Sequence, residues 1–223
     1  DALALMELGS QRDIDIATKM YATHPKFGDE IAGWPRRHYM AEVHMGNDRG
    51  LFSENPGGIP LYEGRMVTAY DHRAKGYRSG RGRKADWVDL PFGDPSKAIL
   101  PQWYVAAENV PQKVLERFQS YRVGFCNVAS PTNERTLVAT IVPPYVVCGD
   151  KVPTICFHDA RAWHLAVWLA VANSFTMDLL ARKKTSLAMT YTVLDSLPFP
   201  RLASDDRRTQ FLVPRVAELV CTG

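Results

Sequence analysis

The sequence predicts an α+β fold, with a mostly antiparallel central sheet, one long helix packed on it, and helices at both ends of the chain. The sheet is indicated by residues 121–150, where turns rich in proline and asparagine separate three β-branched and aromatic runs. The long helix is indicated by residues 160–183, which are apolar all round in their first half. The terminal helices are indicated by apolar residues at a spacing near 3.6.

The composition is that of an ordinary globular protein, with 46% hydrophobic and 23% charged residues among 223. A chain of this length buries about 70% of the surface that its unfolded form exposes. Apolar runs stay below the roughly 18 residues that a membrane span requires, and a secretory pattern is missing. We therefore expect a cytoplasmic protein, cut from a longer polypeptide, that does not enter a membrane. The net charge of +3 permits nucleic-acid binding without requiring it.

The helical pattern at the start of the chain is interrupted at Gly9-Ser10 and again at His24-Pro25. Beyond it, residues 36–45 alternate as a half-buried strand does, and residues 61–73 predict a strand, a turn and a second strand. The three predicted parts are a helical linker or support segment at residues 1–33, the main domain at residues 34–200 and a C-terminal helix at residues 201–223.

Residues 72–84 are the most basic part of the chain, with glycines between the cations and no acidic residue. Such a segment cannot form a hydrophobic core. One interpretation is a flexible arm that follows a phosphate backbone, where each cation releases counterions from the nucleic acid. The other is a solvated, disordered loop without a binding role.

The second half of the main domain contains two further predicted helices and an extended segment. Pro111 suits the first turn of a short helix that leads into the sheet. Asp159 suits the N-cap of the long helix, and three cations at residues 182–184 suit its C-terminal end. Residues 187–200 are predicted to be extended, whereas residues 206–220 have the amphipathic pattern of a final helix.

A turn inside the predicted sheet carries four different polar groups in succession, at Asn133, Glu134, Arg135 and Thr136. An amide and a guanidinium are groups that read base edges or contact phosphates. The same groups also cap turns and pair with each other. Both interpretations remain open from the residues alone.

Catalytic motifs are missing from the sequence. Asn55-Pro56-Gly57-Gly58 and Val142-Pro143-Pro144-Tyr145 share only fragments of the motifs by which methyltransferases bind S-adenosylmethionine and a flipped base. The acid pairs Asp71 with Glu63 and Asp94 with Glu108 lack a convincing lysine partner for a nuclease. Cys148, Cys156 and His158 match no common zinc spacing. We therefore expect a binding domain with no catalytic residue, metal site or cofactor site of its own.

Three blocks of sequence, taken together and in order, resemble a known family. The blocks are Leu61-Tyr62-Glu63-Gly64-Arg65-Met66 with Tyr70-Asp71-His72-Arg73; Arg122-Val123-Gly124-Phe125 with Thr132-Asn133-Glu134-Arg135-Thr136 and Ile141-Val142-Pro143-Pro144; and Asn173-Ser174-Phe175 with Asp178-Leu179-Leu180-Ala181-Arg182 and Leu194-x-x-Leu197-Pro198-x-Pro200. They resemble the C-terminal target-recognition region of adenine-specific DNA methyltransferases of the fused restriction-modification type and of phage-defence systems. Two departures are a missing asparagine in Leu187-Ala188-Met189-Thr190 and a basic loop without a fixed family counterpart.

The resemblance implies that residues 34–200 are a DNA target-recognition domain. Its partners would be double-stranded DNA and a methyltransferase core that lies outside this chain and binds S-adenosylmethionine. Two alternatives are a scaffold or subunit-interaction domain of the same system and a small metal-dependent nuclease. The residues expected to bind DNA are Arg65, His72, Arg73, Lys75, Arg78, Arg81, Arg83, Lys84, Asn133 and Arg135.

Overall fold

A computed structural model describes residues 8–221. The helices are α1 Gln11–Thr23, α2 Gln112–Phe118, α3 Ala162–Ala172, α4 Phe175–Lys184, α5 Tyr191–Asp195 and α6 Arg207–Val220. The strands are β1 Arg37–Met40, β2 Phe52–Ser53, β3 Ile59–Tyr62, β4 Lys75–Ser79, β5 Asp86–Asp89, β6 Trp103–Val105, β7 Arg122–Phe125, β8 Ala139–Val142, β9 Val147–Cys148 and β10 Thr154–Phe157. Along these residues, α1 is followed by strands β1–β6, helix α2, strands β7–β10 and helices α3–α6. The predicted α+β class is confirmed.

The strands form two four-stranded sheets and a two-stranded hairpin, rather than one central sheet. The first sheet has the order β1-β10-β7-β8 and is antiparallel throughout. The second has the order β2-β6-β3-β9, in which only the β3–β9 pair is parallel. Strands β4 and β5 pair with each other as the hairpin. The runs predicted within residues 121–150 are strands, but β9 belongs to the second sheet because the chain crosses over after β8.

The largest hydrophobic core lies between the first sheet and the helices. Val123 and Phe125 of β7 pack with Trp168 of α3 and Leu180 of α4. Ala17 of α1 and Val216 of α6 belong to the same cluster, so both terminal helices are packed onto this core. The predicted helical residues before Leu8 lie outside the described residues.

The prediction of one long helix over residues 160–183 is wrong, because the structure has two helices there, bent by 66° relative to each other. Asn173 ends α3, and its side-chain amide donates to the Ala139 carbonyl (2.9 Å) and accepts from the Ala139 N–H (3.1 Å). Ser174 then caps α4 by accepting from the Met177 N–H. No single helix in residues 8–221 has the length and apolar composition for a membrane span; only the bent α3–α4 pair meets that test.

Two shorter predictions also need correction. Only the first strand of the pair predicted in residues 61–73 exists, as the end of β3, because a 3-10 turn over Gly64–Met66 follows it. The segment 187–200, predicted to be extended, contains α5, whose N-cap Thr190 accepts a hydrogen bond from the Val193 N–H. In both segments the residue propensities favour an extended chain, but a local turn or helix cap interrupts it.

A fully buried ion pair joins the two sheets. Arg122 of β7 donates from Nε to Glu42 Oε1 at 2.7 Å, and from Nη2 to Oε2 at 3.2 Å. The same carboxylate accepts from the Cys148 N–H of β9 at 2.8 Å and from Thr154 Oγ1 of β10 at 3.0 Å. Because each oxygen of Glu42 has more than one donor, the charge is well compensated inside the protein.

Candidate nucleic-acid interface

The basic segment is part of an ordered hairpin. Both interpretations of residues 72–84, a flexible arm and a disordered loop, are therefore wrong. Lys75 of β4 lies opposite Asp89 of β5, and Tyr77 lies opposite Trp87, with ring centroids 5.6 Å apart in an edge-to-face arrangement. The order arises because the two acids and the tryptophan follow directly after residue 84, where the basic pattern ends. Cross-strand aromatic and charge pairs are what stabilise such a ribbon.

The base of the hairpin is fixed to the body of the protein. Ala74 accepts from the Leu90 N–H at 2.8 Å, which closes the hairpin. Tyr77 donates from its backbone N–H to the Leu100 carbonyl, also at 2.8 Å. A Cβ at Gly76 would lie 2.9 Å from a Leu100 methyl carbon, so the strand and the segment before β6 are in close contact. The hairpin is therefore held in one orientation next to the second sheet.

The tip of the hairpin, residues 80–85, is a tight turn that displays cations. Gly80 and Gly82 have φ of +80° and +58°, the left-handed region that glycine adopts without strain. Tyr77 donates from its hydroxyl to the Gly80 carbonyl at 2.6 Å. Arg83 and Lys84 are exposed at this tip and form no ion pair with a residue that the structure describes.

The other cations of the hairpin are paired with carboxylates at the surface. The pairs are Lys75 with Asp89 at 2.7 Å, Arg78 with Asp86 at 3.3 Å and Arg81 with Glu54 at 2.7 Å. Exposed pairs of this kind contribute about 0–1 kcal/mol, so their cations can exchange a carboxylate for another anion. Outside the hairpin, Arg65 is exposed on the 3-10 turn after β3, without an ion pair among residues 8–221.

His72 and Arg73 lie at the start of the hairpin in a more enclosed setting. His72 Nδ1 is 2.6 Å from the Tyr62 hydroxyl, and burial lowers the pKa of His72 to about 4, so the ring is neutral at pH 7. The Arg73 N–H donates to Asp71 Oδ1 at 2.7 Å, and its guanidinium donates to the Lys97 carbonyl. Both residues line a cavity of about 400 Å³. Both side chains are therefore held in place by these contacts and also border an open cavity.

The turn at residues 133–136 is held against α4 by hydrogen bonds. Arg182 donates to the carbonyls of Asn133 at 2.7 Å and Glu134 at 2.9 Å. Arg135 donates to the Asn173 carbonyl and stacks 4.7 Å from the Phe175 ring centroid. These contacts match the interpretation in which the polar groups stabilise the turn. Contact of Asn133 or Arg135 with DNA stays a prediction.

The structure brings some of the predicted residues together and separates others. Lys75, Arg78, Arg81, Arg83 and Lys84 share one hairpin, and His72 and Arg73 lead into it. The Asn133 turn instead packs on α4, which belongs to the core of the first sheet. Sequence reasoning missed Glu54 and Asp86 as ion-pair partners and Tyr77 with Trp87 as the clamp of the hairpin. Two aromatic residues on either side of a glycine-rich turn would have been the signal for a hairpin.

The segments that share fragments of catalytic motifs, and one of the acids considered for a nuclease, have structural contacts of their own. The Asn55 side chain accepts from the Gly57 N–H at 3.0 Å, an Asx turn. Pro143 accepts from the buried Arg122 guanidinium through its carbonyl at 3.3 Å. Asp71 is buried in an ion pair with Lys97 at 2.5 Å. Across residues 8–221, no cluster of three or more His, Cys, Asp or Glu residues is placed to hold a metal ion.

Neither a protein-family model nor a curated protein matches the sequence. Among solved structures, the chain is similar to the type IIG restriction endonuclease BpuSI, with a TM-score of 0.54 and 10% identity over 93% of this chain and 28% of that one. Weaker similarities are to a type I R-M system structure (TM-score 0.43, 14% identity, covering 94% and 47%) and to the HsdS subunit from Thermoanaerobacter tengcongensis (0.39, 12%, covering 93% and 42%). The chain thus spans less than half of each of these proteins. Its fold is one that also occurs within a type IIG restriction endonuclease.

Proposed function

We propose that this chain is the DNA target-recognition domain of a restriction-modification, adenine-specific DNA methyltransferase. In this proposal it positions double-stranded DNA for methyl transfer from S-adenosylmethionine by a catalytic core outside these residues. The three sequence blocks that resemble such recognition regions support the proposal, as does the fold that the chain shares with part of a type IIG restriction endonuclease. The same reasoning proposes a role in phage defence in the bacterial cytoplasm.

The observation that carries the proposal is the ordered hairpin, in which Arg83 and Lys84 at the tip have no ion-pair partner among residues 8–221. Residues 75–89 contain five Lys or Arg and two Asp, so their formal charge is +3. The major groove of B-DNA admits a two-stranded ribbon, and Lys and Arg that reach phosphates account for most of the affinity of such complexes. A hairpin that is already ordered loses little conformational entropy when it binds.

The predicted residues then have graded roles in the proposed complex. Arg83 and Lys84 at the tip contact DNA first, because no described carboxylate has to be displaced. The cations along the strands exchange their carboxylate partners for phosphates. We propose the tautomer in which the Tyr62 hydroxyl donates to Nδ1, so that the neutral His72 ring carries its proton on Nε2 and donates it to a phosphate oxygen. Arg65, Arg73, Asn133 and Arg135 are proposed as further DNA contacts.

The salt dependence of DNA binding tests this proposal. The double variant Arg83→Ala/Lys84→Ala is compared with the wild type and with Lys19→Ala, an exposed lysine on α1, by fluorescence anisotropy on a duplex of random sequence. Each lost phosphate contact reduces the slope of log K against log salt by about 0.9, so the double variant should be shallower by about 1.8. Lys19→Ala should keep the wild-type slope. Equal slopes for all three proteins would remove the hairpin from the DNA interface.

A scaffold or subunit-interaction domain is the second candidate, and exposed apolar side chains favour it. Phe175 is 84% exposed, Leu187 80% and Val128 63%. Exposed large apolar side chains are common at protein interfaces. In that case the protein binds its methyltransferase core but shows no salt-dependent binding to the duplex. The anisotropy series therefore separates the two candidates.

A further inference from the structure

We propose a second anion site, which binds a phosphate group, in a cavity between α2, β1 and the loop that follows β10. The cavity has a volume of about 390 Å³, and its lining includes His38, Lys113, Arg117 and His158. Its lining includes no residue of the hairpin and none of the residues expected to bind DNA. Its failure would therefore leave the proposed function standing.

The first argument is a buried excess of positive charge. Arg122 is paired with Glu42, as described above, and Thr154 Oγ1 lies 3.0 Å from the same carboxylate. On its other side, Thr154 Oγ1 lies 3.4 Å from Nη1 of Arg117. A single carboxylate thus lies between two buried guanidiniums in this network.

Among the residues that the structure describes, Arg117 has only uncharged hydrogen-bond partners. Its Nε is 3.0 Å from the Cys156 sulfur, which burial keeps protonated by raising the pKa of the thiol, and its Nη2 donates to the His38 carbonyl at 2.8 Å. No carboxylate lies within ion-pair distance of Arg117 among residues 8–221. Arg117 is only 5% exposed. A buried guanidinium without a counter-ion is unfavourable, and this one borders an open cavity in which an anion would compensate it.

The second argument is the set of donors at the rim. Lys113 lies one helical turn before Arg117 on α2 and is exposed. The His38 and His158 rings are stacked, with centroids 6.2 Å apart and planes 10° from parallel, and both residues are exposed. Imidazole N–H groups, an ammonium and a guanidinium are the donors that phosphate oxygens accept from.

Two carboxylates, Glu116 and Asp159, also lie on the lining and are exposed at the rim. They lower the affinity for any anion without filling the space next to Arg117. The direction of the effect can therefore be tested, because removing one of these two negative charges should strengthen the binding of phosphate. A cavity without anion affinity would show no such change.

The ligand chemistry is a phosphate group, and it has two possible sources. One is a phosphodiester of duplex DNA, in which case the site is a second contact beside the hairpin and rests on the proposed function. The other is free inorganic phosphate. Thermal unfolding of the chain in phosphate, compared with chloride of equal ionic strength, measures whether the site binds a phosphate group, whichever source supplies it.

The test uses the wild type, the rim variant Lys113→Ala/His158→Ala, the charge variant Glu116→Gln and the control Lys19→Ala. Because the substituted side chains are exposed, all four should unfold at similar temperatures in chloride. Phosphate should raise the unfolding temperature of the wild type and of Lys19→Ala. The rim variant should bind phosphate at least about tenfold more weakly, and Glu116→Gln should bind it more tightly.

Anisotropy with duplex DNA then distinguishes the sources. If the rim variant loses DNA affinity and phosphate competes with the duplex, the ligand is a backbone phosphodiester. If its DNA affinity equals that of the wild type while phosphate binding is lost, the ligand is free phosphate. Both results support the site. Equal stabilisation of the wild type by phosphate and by chloride, or equal phosphate affinity of the wild type and the rim variant, would overturn it.

Discussion

Replacing Gly80 with alanine separates an ordered DNA-binding hairpin from a flexible basic arm. Gly80 has φ of +80°, and an added Cβ would lie 2.4 Å from the Lys84 carbonyl oxygen. A left-handed conformation costs an L-residue about 1–2 kcal/mol, and the close approach to a backbone atom adds to that strain. The tip then opens in the free protein, and binding has to close it again. We expect the dissociation constant for duplex DNA to rise about 5- to 30-fold.

Two other glycines provide matched comparisons. Gly82 has φ of +58° but no atom within 4 Å of an added Cβ, so Gly82→Ala introduces strain without a clash and should weaken binding less than Gly80→Ala. Gly50 has neither a left-handed φ nor a neighbour within that distance, and Gly50→Ala should bind DNA as the wild type does. None of the three substitutions changes a charge.

Affinity is measured by anisotropy at several salt concentrations, and local order by amide hydrogen exchange. Exchange in Gly80→Ala should increase in peptides from residues 75–89 and stay unchanged in peptides from the core of the first sheet. A flexible arm would behave differently, because alanine would not affect its contacts with phosphates. If Gly80→Ala binds DNA with the affinity of Gly50→Ala, the ordered hairpin is not the binding element.

Three further predictions concern the groups that hold the structure in place. Glu42→Gln should lower the free energy of unfolding by about 3–5 kcal/mol in urea titrations, because it leaves the Arg122 charge buried and unpaired; a second change, Arg122→Met, should restore part of the loss. Asp178→Ala should lower the free energy of unfolding by about 2–4 kcal/mol, because it removes the acceptor of the buried backbone N–H groups of Thr136 and Leu137; unchanged stability would contradict this. The pKa of His72 is lowered from 6.5 to about 4 in the folded state, so the folded protein binds fewer protons than the unfolded one and should lose stability as the pH falls from 6.5 towards 4. His72→Gln should reduce the dependence of the unfolding free energy on pH in this interval. A variant with the same pH dependence as the wild type would contradict this role of His72.

The sequence was sufficient to predict those helices and strands that depend only on residues close together in the chain. The runs at residues 122–125 and 139–142 are paired strands, and Pro111 precedes α2 as predicted. The hairpin was missed because its order depends on pairs between residues about ten positions apart, such as Tyr77 with Trp87, which a window ending at residue 84 excludes. The break between α3 and α4 was missed for a similar reason, since Asn173 ends the helix by bonding to Ala139, far away in the sequence.

From the sequence, the candidate interface was predicted only as a set of cations, and the surroundings of each cation became visible only in the structure. A list of basic residues does not distinguish Lys75, which has a carboxylate opposite it on the next strand, from Lys84, which has none among the described residues. That difference concentrates the uncompensated charge of the hairpin at its tip. In the proposed complex, the electrostatic field of the hairpin therefore favours an approach in which the tip meets the phosphate backbone first. A disordered arm with the same composition would have no such direction, because its charges would not be fixed relative to one another.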